Sequence, residues 1–171
     1  TLRSRDGAAV TLIKGESDPS EGNVQGCGSN AMRCVYMRDT GTLQGFTLFE
    51  GRTGRENTED CNNRGGGIYS LADIYNARVI SCIISNNVSV RGGGAHSGTF
   101  ENCLFTGNTA LNNSSALRNG IAKQCYFTRN LGNQVIGFPN LLLNCTIAYN
   151  DAPTAIWGGS VPTPYQVHNT I

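Results

Sequence analysis

Four of the seven cysteines recur at a nearly constant spacing, and they have the greatest capacity for chemistry in the chain. Cys82, Cys103, Cys125 and Cys145 are separated by 21, 22 and 20 residues. Cysteine thiolates bind zinc and other soft metals when several ligands converge on one tetrahedral point. One cysteine per repeat supplies no such convergent set. We therefore predict no metal ion and interpret the four cysteines as small, buried packing residues.

The remaining cysteines suggest a second kind of chemistry. Cys27 and Cys34 flank a stretch of six residues, which a disulfide bond between them could close into a small loop. Such a bond is typical of an oxidising compartment. Cys61 has no evident partner. The sequence thus predicts a disulfide between Cys27 and Cys34 and an extracellular or cell-surface location.

Side chains suited to acid–base or nucleophilic catalysis form no recognisable motif. His96 and His168 are far apart in the sequence, and neither has a serine or cysteine partner in a known arrangement. No pair of acidic residues stands at the separation that glycoside hydrolysis requires. Glu101 and Lys123 occupy equivalent positions of adjacent repeats and predict a surface ion pair. We predict no catalytic residue and no cofactor.

The cysteines belong to a longer repeat that also contains asparagine and apolar positions. Five residues after the cysteines come Asn87, Asn108, Asn130 and Asn150, and two residues after them come Ile84, Phe105, Phe127 and Ile147. A period of this length indicates a solenoid. Equivalent residues of a solenoid stack on one another, so we expect an interior cysteine column. We also expect an asparagine ladder at a turn, where asparagine tolerates the left-handed conformation.

The spacing inside each repeat indicates strands. The cysteine and the residue two positions later are apolar while their neighbours are mixed or polar, which is the alternation of a β-strand. Glycine runs such as Arg64-Gly65-Gly66-Gly67 punctuate the strands as turns. The regular leucine consensus of leucine-rich repeats is absent. The predicted fold class is all-β, a single-stranded parallel β-helix with coils of about 20–22 residues and inserted rim loops.

Two stretches carry a resemblance to a known group. Gly65-Gly66-Gly67-Ile68 precedes Ser81-Cys82-Ile83-Ile84-Ser85-Asn86-Asn87, and Leu43-Gln44-Gly45-Phe46-Thr47-Leu48 precedes Gly51. These resemble the repeats of bacterial right-handed parallel β-helix proteins of the secreted or surface type, distantly similar to polymorphic outer-membrane proteins and pectate-lyase-like helices. The resemblance implies a right-handed helix. It does not decide function, because this scaffold carries lyases, hydrolases and adhesins.

The chain reads as one β-helix domain over residues 1–171. We expect irregular early coils over 1–52, an insertion over 53–62 and regular coils over 63–171. In the early part, Phe46 takes the place of the first repeated cysteine.

The two ends of the chain resemble the middle of a coil, so we expect a fragment of, or a repeating unit in, a longer assembly. The last five residues align with Leu143 to Ile147, which puts Asn169 at the cysteine position.

One exterior row is apolar. The residues directly after the first three repeated cysteines, Ile83, Leu104 and Tyr126, should face outward and form a candidate contact strip. Tyr69 and His96 each come two residues after a glycine run, and we expect them on another outer face. Such a strip is either a contact surface or is covered by a rim loop of the same chain, and the sequence does not decide between the two.

Charge and hydropathy exclude two classes of partner. With 13 basic and 12 acidic residues, the net charge of +1 lacks the basic stripe of a nucleic-acid-binding protein. No apolar run approaches the roughly 18 residues of a membrane span. Open coil ends instead predict β-pairing, with copies of the same chain in a homo-oligomer or with more of a continuing chain.

Three functions are compatible with these observations. The first is a non-catalytic extracellular structural or adhesive scaffold, with surface carbohydrate as a candidate ligand. The second is a polysaccharide lyase or glycoside hydrolase with a groove beside the 53–62 insertion. The third is a surface filament of helices stacked end to end.

Overall fold

The structure, a computed structural model, describes residues 1–21, 25–38, 40–54, 61–71, 76–158 and 166–171. In this part of the chain the secondary structure is all β apart from two short 3-10 helices, Pro19–Glu21 and Cys61–Asn63. No helix among these residues is long and apolar enough to cross a membrane. Much of the predicted 53–62 insertion lies outside the described residues.

The strands are short, and most have two to four residues. In the first half of the chain they are β1 (Leu2–Arg3), β2 (Leu12–Lys14), β3 (Val35–Met37), β4 (Gly41–Gln44), β5 (Thr47–Phe49), β6 (Ile68–Ser70), β7 (Ala77–Ile80) and β8 (Ile83–Ser85). Next come β9 (Val88–Ser89), β10 (Ala95–His96), β11 (Thr99–Glu101), β12 (Leu104–Thr106), β13 (Thr109–Ala110), β14 (Ser114–Arg118) and β15 (Ile121–Lys123). The last are β16 (Tyr126–Thr128), β17 (Gln134–Gly137), β18 (Leu141–Leu143), β19 (Thr146–Ala148), β20 (Thr154–Trp157) and β21 (Gln166–His168).

Three parallel sheets run the length of the molecule, and each regular coil contributes one strand to each. The first sheet has the order β1-β4-β7-β11-β15-β18-β21, the second β19-β16-β12-β8-β5-β2 and the third β20-β17-β14-β10-β6-β3. A small fourth sheet pairs β9 with β13. Strands that follow one another in the chain lie in different sheets, while each strand pairs with its equivalent one coil away. This is a parallel β-helix, as the repeat predicted.

The register stacks equivalent residues as the spacing predicted. Phe105 pairs with Ile84 on one side and Phe127 on the other, and the two phenylalanine rings stack 4.8 Å apart. In the irregular early part, Leu43 pairs with Val79 and Leu48 with Ile84, so this coil carries the same interior rows. Most strands contribute one or two interior residues to a single hydrophobic core.

At the end of the chain the predicted register was wrong by one residue. Val167 pairs with Leu142 and His168 with Leu143. Asn169 therefore stands opposite Asn144, and both have a positive φ of 46–52°. Thr170, not Asn169, takes the cysteine position, because the left-handed corner and not the apolar pattern sets the register here.

Left-handed residues make the corners between strands. The residue before each repeated cysteine has positive φ: Ser81, Asn102, Gln124 and Asn144. The residue before each ladder asparagine is left-handed as well, and there it is Asn86, Gly107, Arg129 or Tyr149. The ladder asparagines are thus not the left-handed residues that the sequence suggested. Side chains as different as arginine and tyrosine occupy this conformation, so the stacked strands on both sides hold the corner against its intrinsic cost.

The glycine runs are required by close approach between coils. Gly65 and Gly92, the first of each run, have φ of 61° and 68°. A Cβ on Gly93 would overlap the carbonyl oxygen of Thr109 and lie 2.6 Å from that of Ser115. Backbone from the next coil therefore fills the space that any larger residue would need.

Replacing Gly93 by alanine should destabilise the fold by about 1–3 kcal/mol, because rigid backbone carbonyls of the next coil cannot move away from the added methyl group. Gly41→Ala is the matched control, since its Cβ would meet only the flexible Met37 Cε, at 3.1 Å. Urea unfolding followed by circular dichroism measures both. Equal midpoints for the two variants would contradict the close packing of the glycine runs.

Candidate functional site

The structure places the four repeated cysteines in the interior, where each is at most 2% exposed. Each Sγ donates a hydrogen bond to the carbonyl two residues before it in the chain, for example Cys103 to Glu101 O at 3.3 Å. All four are free thiols. They fill the corner between the first and second sheets and lie next to one another in successive coils.

The environment of Cys82, Cys125 and Cys145 opposes ionisation of their thiols. A hydrogen bond with the Cys103 thiol raises the pKa of Cys125 to about 12. Burial raises the pKa of Cys82, and a hydrogen bond with the Cys125 thiol raises that of Cys145. The thiolate is the form that binds metals and attacks substrates, and these three groups stay protonated at neutral pH.

The ladder asparagines form a continuous hydrogen-bonded chain through the molecule. Asn87 donates from both its backbone N and its side-chain Nδ2 to Asn108 Oδ1, at 3.2 and 3.0 Å. Asn108 does the same to Asn130, and Asn130 to Asn150. The ladder begins at Gly51, whose backbone N donates to Asn87 Oδ1 at 2.8 Å.

The second proton of each side-chain amide is also used. Asn87 Nδ2 donates to Leu48 O and Asn108 Nδ2 to Ile84 O, in both cases in the preceding coil. The side chains of Asn87, Asn108 and Asn130 are fully buried. Only an amide has both the donors and the acceptor that this position needs, so the ladder is a structural element without spare capacity for a ligand.

The predicted disulfide between Cys27 and Cys34 is wrong, since both are free thiols. Cys34 Sγ points to Phe49 O at 3.4 Å and Asn87 Oδ1 at 3.5 Å, against the start of the asparagine ladder. Cys27 is fully buried and its Sγ lies 3.9 Å from Val88 O. The two thiols pack against different parts of the solenoid, which a spacing of seven residues could not reveal.

The candidate contact strip lies on the outer face of the second sheet. Ile83, Leu104 and Tyr126 pair in one row, which continues from Thr47 to Thr146. Ile83 and Leu104 are partly exposed, and Tyr126 is 40% exposed.

On the first sheet, the ion pair of Glu101 differs from the prediction. Glu101 stands opposite Lys123, but its carboxylate pairs with Arg78 at 3.1 Å.

A second outer face, on the third sheet, combines aromatic and basic side chains. Tyr36, Tyr69, His96, Arg118, Gly137 and Trp157 pair in one row, one per coil. Their chain neighbours Ile68, Ala95, Leu117 and Ile136 point into the core, so this row points outward. We define the arginine–aromatic face as Arg33, Arg64, Arg91, Arg118, Tyr36, Tyr69, His96, Phe138 and Trp157.

Guanidinium groups and rings contact one another along the arginine–aromatic face. Arg33 lies over the Tyr69 ring at 5.1 Å, and Arg118 over the Phe138 ring at 4.6 Å. Tyr69 meets His96 edge to face at 5.6 Å, and Phe138 meets Trp157 edge to face at 4.6 Å. Tyr69 and His96 are on the outer face as predicted, yet they are buried.

The surroundings of His96 on this face lower the pKa of its imidazole. It is 3% exposed, and its Nδ1 has no hydrogen-bond partner among the described residues. Burial, and then the charges of Arg64, Arg118, Arg33 and Arg91, lower its pKa from the ordinary 6.5 to about 3. The imidazole is therefore neutral at physiological pH.

A polar groove lies elsewhere, where the segment near residue 17 crosses the coils. It has a volume of about 470 Å³ and its lining includes Ser17, Gln25, Arg52, Asn86 and Thr109. Arg52 donates to three carbonyl oxygens, of Gln25, Gly51 and Asn86.

Asp18 fixes the crossing segment by accepting hydrogen bonds from Ser20 and from Asn30 N. The Ser20 hydroxyl bond lowers the pKa of Asp18 to about 2. The described residues contain no group of three or more His, Cys, Asp or Glu side chains that could hold a metal ion.

The chain matches no protein-family model, no curated protein and no solved structure. The fold is therefore assigned from its strand pairing, and the likeness of the repeats to a particular group of β-helix proteins stays a prediction.

Asn108→Ala should destabilise the protein by about 2–4 kcal/mol, because it leaves the buried backbone N–H of Asn87 without its acceptor and removes the side-chain hydrogen bonds to Asn87 Nδ2 and Ile84 O. The exposed Asn133, which makes one bond to Asn112 O, is the matched control and should cost about 0.5 kcal/mol or less as alanine. Chemical unfolding of both variants checks this. Similar losses would show that the ladder contributes no more than a surface amide.

The stability of the protein should fall as the pH drops from 6.5 toward 3, because His96 takes up a proton in this window only in the unfolded chain. Urea unfolding between pH 4 and 7 measures the slope and avoids the range below the ordinary pKa of 3.8 where Asp18 contributes. His96→Phe should flatten the slope. An unchanged slope in this variant would show that His96 titrates normally in the folded state.

Proposed function

We propose that this protein is a non-catalytic structural scaffold with an adhesive outer surface, at the cell surface or outside the cell. The observation that carries the proposal is the in-register stacking of side chains on both sides of the wall. Inside, the asparagine ladder and the core rows fix each coil on the next. Outside, the same register holds rows of side chains at about the 4.8 Å strand spacing.

Such rows suit an extended ligand better than a compact one. A side chain that recurs in every coil presents the same group repeatedly along a line parallel to the axis. A linear polymer with a regular repeat can contact each of these groups in turn, so many weak contacts add up. Surface carbohydrate is a ligand of this kind.

We also propose that the end coils pair with further protein. Outer edges belong to β1, β2 and β3 at one end and to β19, β20 and β21 at the other. Leu2 and Leu12 are exposed at the first end and Val167 at the second. Edges with exposed apolar residues recruit another strand, either from a continuing chain or from a second copy stacked head to tail.

A lyase or hydrolase would need acid and base groups converging on a bound sugar. The sequence suggested such a site beside the 53–62 insertion, most of which lies outside the described residues, and the groove at Arg52 is next to that insertion in the chain. The described lining of the Arg52 groove consists of hydroxyl, amide and backbone groups, the apolar side chain of Val88 and one guanidinium group, and includes no carboxylate. This composition favours binding over bond cleavage.

A panel of neutral and acidic polysaccharides tests the proposal, with and without calcium. We expect retention of the protein on at least one of them, without new reducing ends and without unsaturated products. Cleavage of any polysaccharide by the purified chain would overturn the non-catalytic assignment. Failure to bind any of them would overturn the adhesive one.

Light scattering over a range of concentrations tests the stacking of copies. Growth into linear particles is expected if the second copy covers the end coils. A constant monomer mass up to high concentration would overturn stacking between copies.

A further inference from the structure

The Arg52 groove lies between the crossing segment and the corners of two adjacent coils. The crossing segment supplies one wall, with Ser17, Gln25 and Gly26, and the coils supply the other, with Asn86, Val88, Gly107 and Thr109. Its volume of about 470 Å³ is in the range of pockets that bind small molecules.

Backbone hydrogen bonds hold the crossing segment in place. Asp18 N donates to Gly26 O at 2.8 Å, which closes the segment on itself. Gly28 N donates to Thr53 O at 3.1 Å, which ties the segment to the solenoid. The two walls of the groove are therefore already in position before a ligand arrives, and little ordering opposes binding.

Gly107 leaves space in the groove that a side chain would otherwise fill. It is the left-handed corner residue before the asparagine ladder, and the register gives its equivalents in the other coils as Glu50, Asn86, Arg129 and Tyr149. All five have φ between 53° and 65°. Because residues with side chains adopt this conformation at the four equivalent corners, the backbone does not require glycine at Gly107.

Close packing does not require glycine at this corner either. A Cβ on Gly107 would lie 2.5 Å from Asn86 Oδ1, which is the end of a flexible side chain, and the nearest backbone atom is Asn86 N at 3.8 Å. Gly93 differs, since backbone carbonyls of the next coil surround it. The missing side chain at Gly107 therefore has the groove itself as its consequence.

Arg52 has hydrogen-bonding capacity left for a ligand. Its Nε donates to Gln25 O at 2.9 Å, and its Nη1 donates to Gly51 O at 3.1 Å and to Asn86 O at 2.7 Å. Its Nη2 donates to no described residue, and no carboxylate of the described residues forms an ion pair with it. The side chain is held by three carbonyl groups and is partly exposed, so its charge and its Nη2 protons are open to an anion.

The neutral side chains of the groove are also available. Those of Ser17, Gln25, Asn86 and Thr109 make no hydrogen bond with another described residue. Hydroxyl and amide groups both donate and accept, as the hydroxyl groups of a sugar do. Val88 adds one apolar side chain to the lining. The groove thus offers one positive charge surrounded by several groups that can bond hydroxyls.

We propose that the Arg52 groove binds a sugar that carries a carboxylate, either free or as one residue of a longer glycan. This inference rests on the adhesive role proposed above and names the ligand class and the site. The carboxylate accepts hydrogen bonds from Arg52 Nη2, the hydroxyl groups bond Ser17 and Thr109, and the sugar ring occupies the space above Gly107. A phosphate group carries nearly two negative charges, which the single guanidinium group of the described lining matches less well than it matches one carboxylate.

Glucuronic acid and N-acetylneuraminic acid are the probes, and each is compared with its own methyl ester. The ester keeps the hydroxyl groups and removes the charge. Acetate and inorganic phosphate test an anion without a sugar. In two-dimensional amide NMR spectra we expect saturable shifts at Gly107 and Thr109 with at least one of the two acids. Its ester should bind about tenfold more weakly or less, and salt should weaken the binding of the acid.

Gly107→Asn should weaken the binding of the acid by about tenfold or more, because the new side chain fills the groove. The fold should be retained, since asparagine already occupies the equivalent corner at Asn86 with φ of 53°. Tyr149→Asn is the matched control. It places the same residue at the same corner two coils away, where Tyr149 is 85% exposed, and should leave the affinity unchanged.

Arg52→Gln should remove most of the preference for the acid over its ester, because the ester has no charge to lose. Arg52→Lys should keep part of this preference. Arg78→Gln is the control, since Arg78 lies on the first sheet and pairs with Glu101. Circular dichroism shows whether each variant is folded. If the Arg52 variants do not fold, Thr109→Val replaces them and should weaken binding about threefold or more, whereas Thr128→Val should not.

Equal affinities of Gly107→Asn and Tyr149→Asn would overturn the site. Equal affinities for acid and ester would overturn the role of Arg52. Tighter binding of phosphate or acetate than of either sugar acid, lost in Gly107→Asn, would overturn the ligand class. The absence of shifts with both acids, while a polysaccharide still retains the protein, would overturn this inference and leave the adhesive scaffold standing. Polysaccharide cleavage overturns the scaffold instead, so the two failures are distinguishable.

Discussion

Each coil of this protein pairs in register with the next, and that one constraint sets what every position can contain. Parallel in-register pairing places each residue about 4.8 Å from its equivalent in the neighbouring coil. The residue at a buried position must therefore pack well against the equivalent residue of the next coil. Phenylalanine satisfies this by stacking, as Phe105 and Phe127 do. Asparagine satisfies it because its side-chain nitrogen donates to the asparagine of the following coil, while its side-chain oxygen accepts from the asparagine of the preceding coil.

The same constraint explains what the sequence could and could not predict. The period of the cysteines and asparagines predicted the β-helix and its interior rows, because a repeated position in a solenoid packs against its own equivalents in the two adjacent coils. It also predicted the register of Leu43 and Leu48 in the irregular coil. Contacts made by segments outside the repeat were not predictable. Cys27 and Cys34 are close in the chain, but they pack against different parts of the solenoid, near Val88 and against Asn87.

The outer face of the third sheet shows what strand alternation alone could not predict. Strand alternation correctly put Tyr69 and His96 on an outer face, and exposure was the natural expectation. The structure buries both, beside arginines that precede or belong to the third strand of four coils. Arg64 and Arg91 are 27 residues apart in the chain and are adjacent only because of the register.

The direction of the hydrogen bonds has a mechanical consequence. All three sheets bond along the axis of the solenoid, from coil to coil, and the asparagine ladder runs the same way. A force that pulls the two ends apart loads these bonds in series, so the coils would peel away one at a time, and each would yield at a modest force. A β-helix pulled along its axis therefore opens from an end, and the coils that have not yet opened keep their core and their ladder bonds.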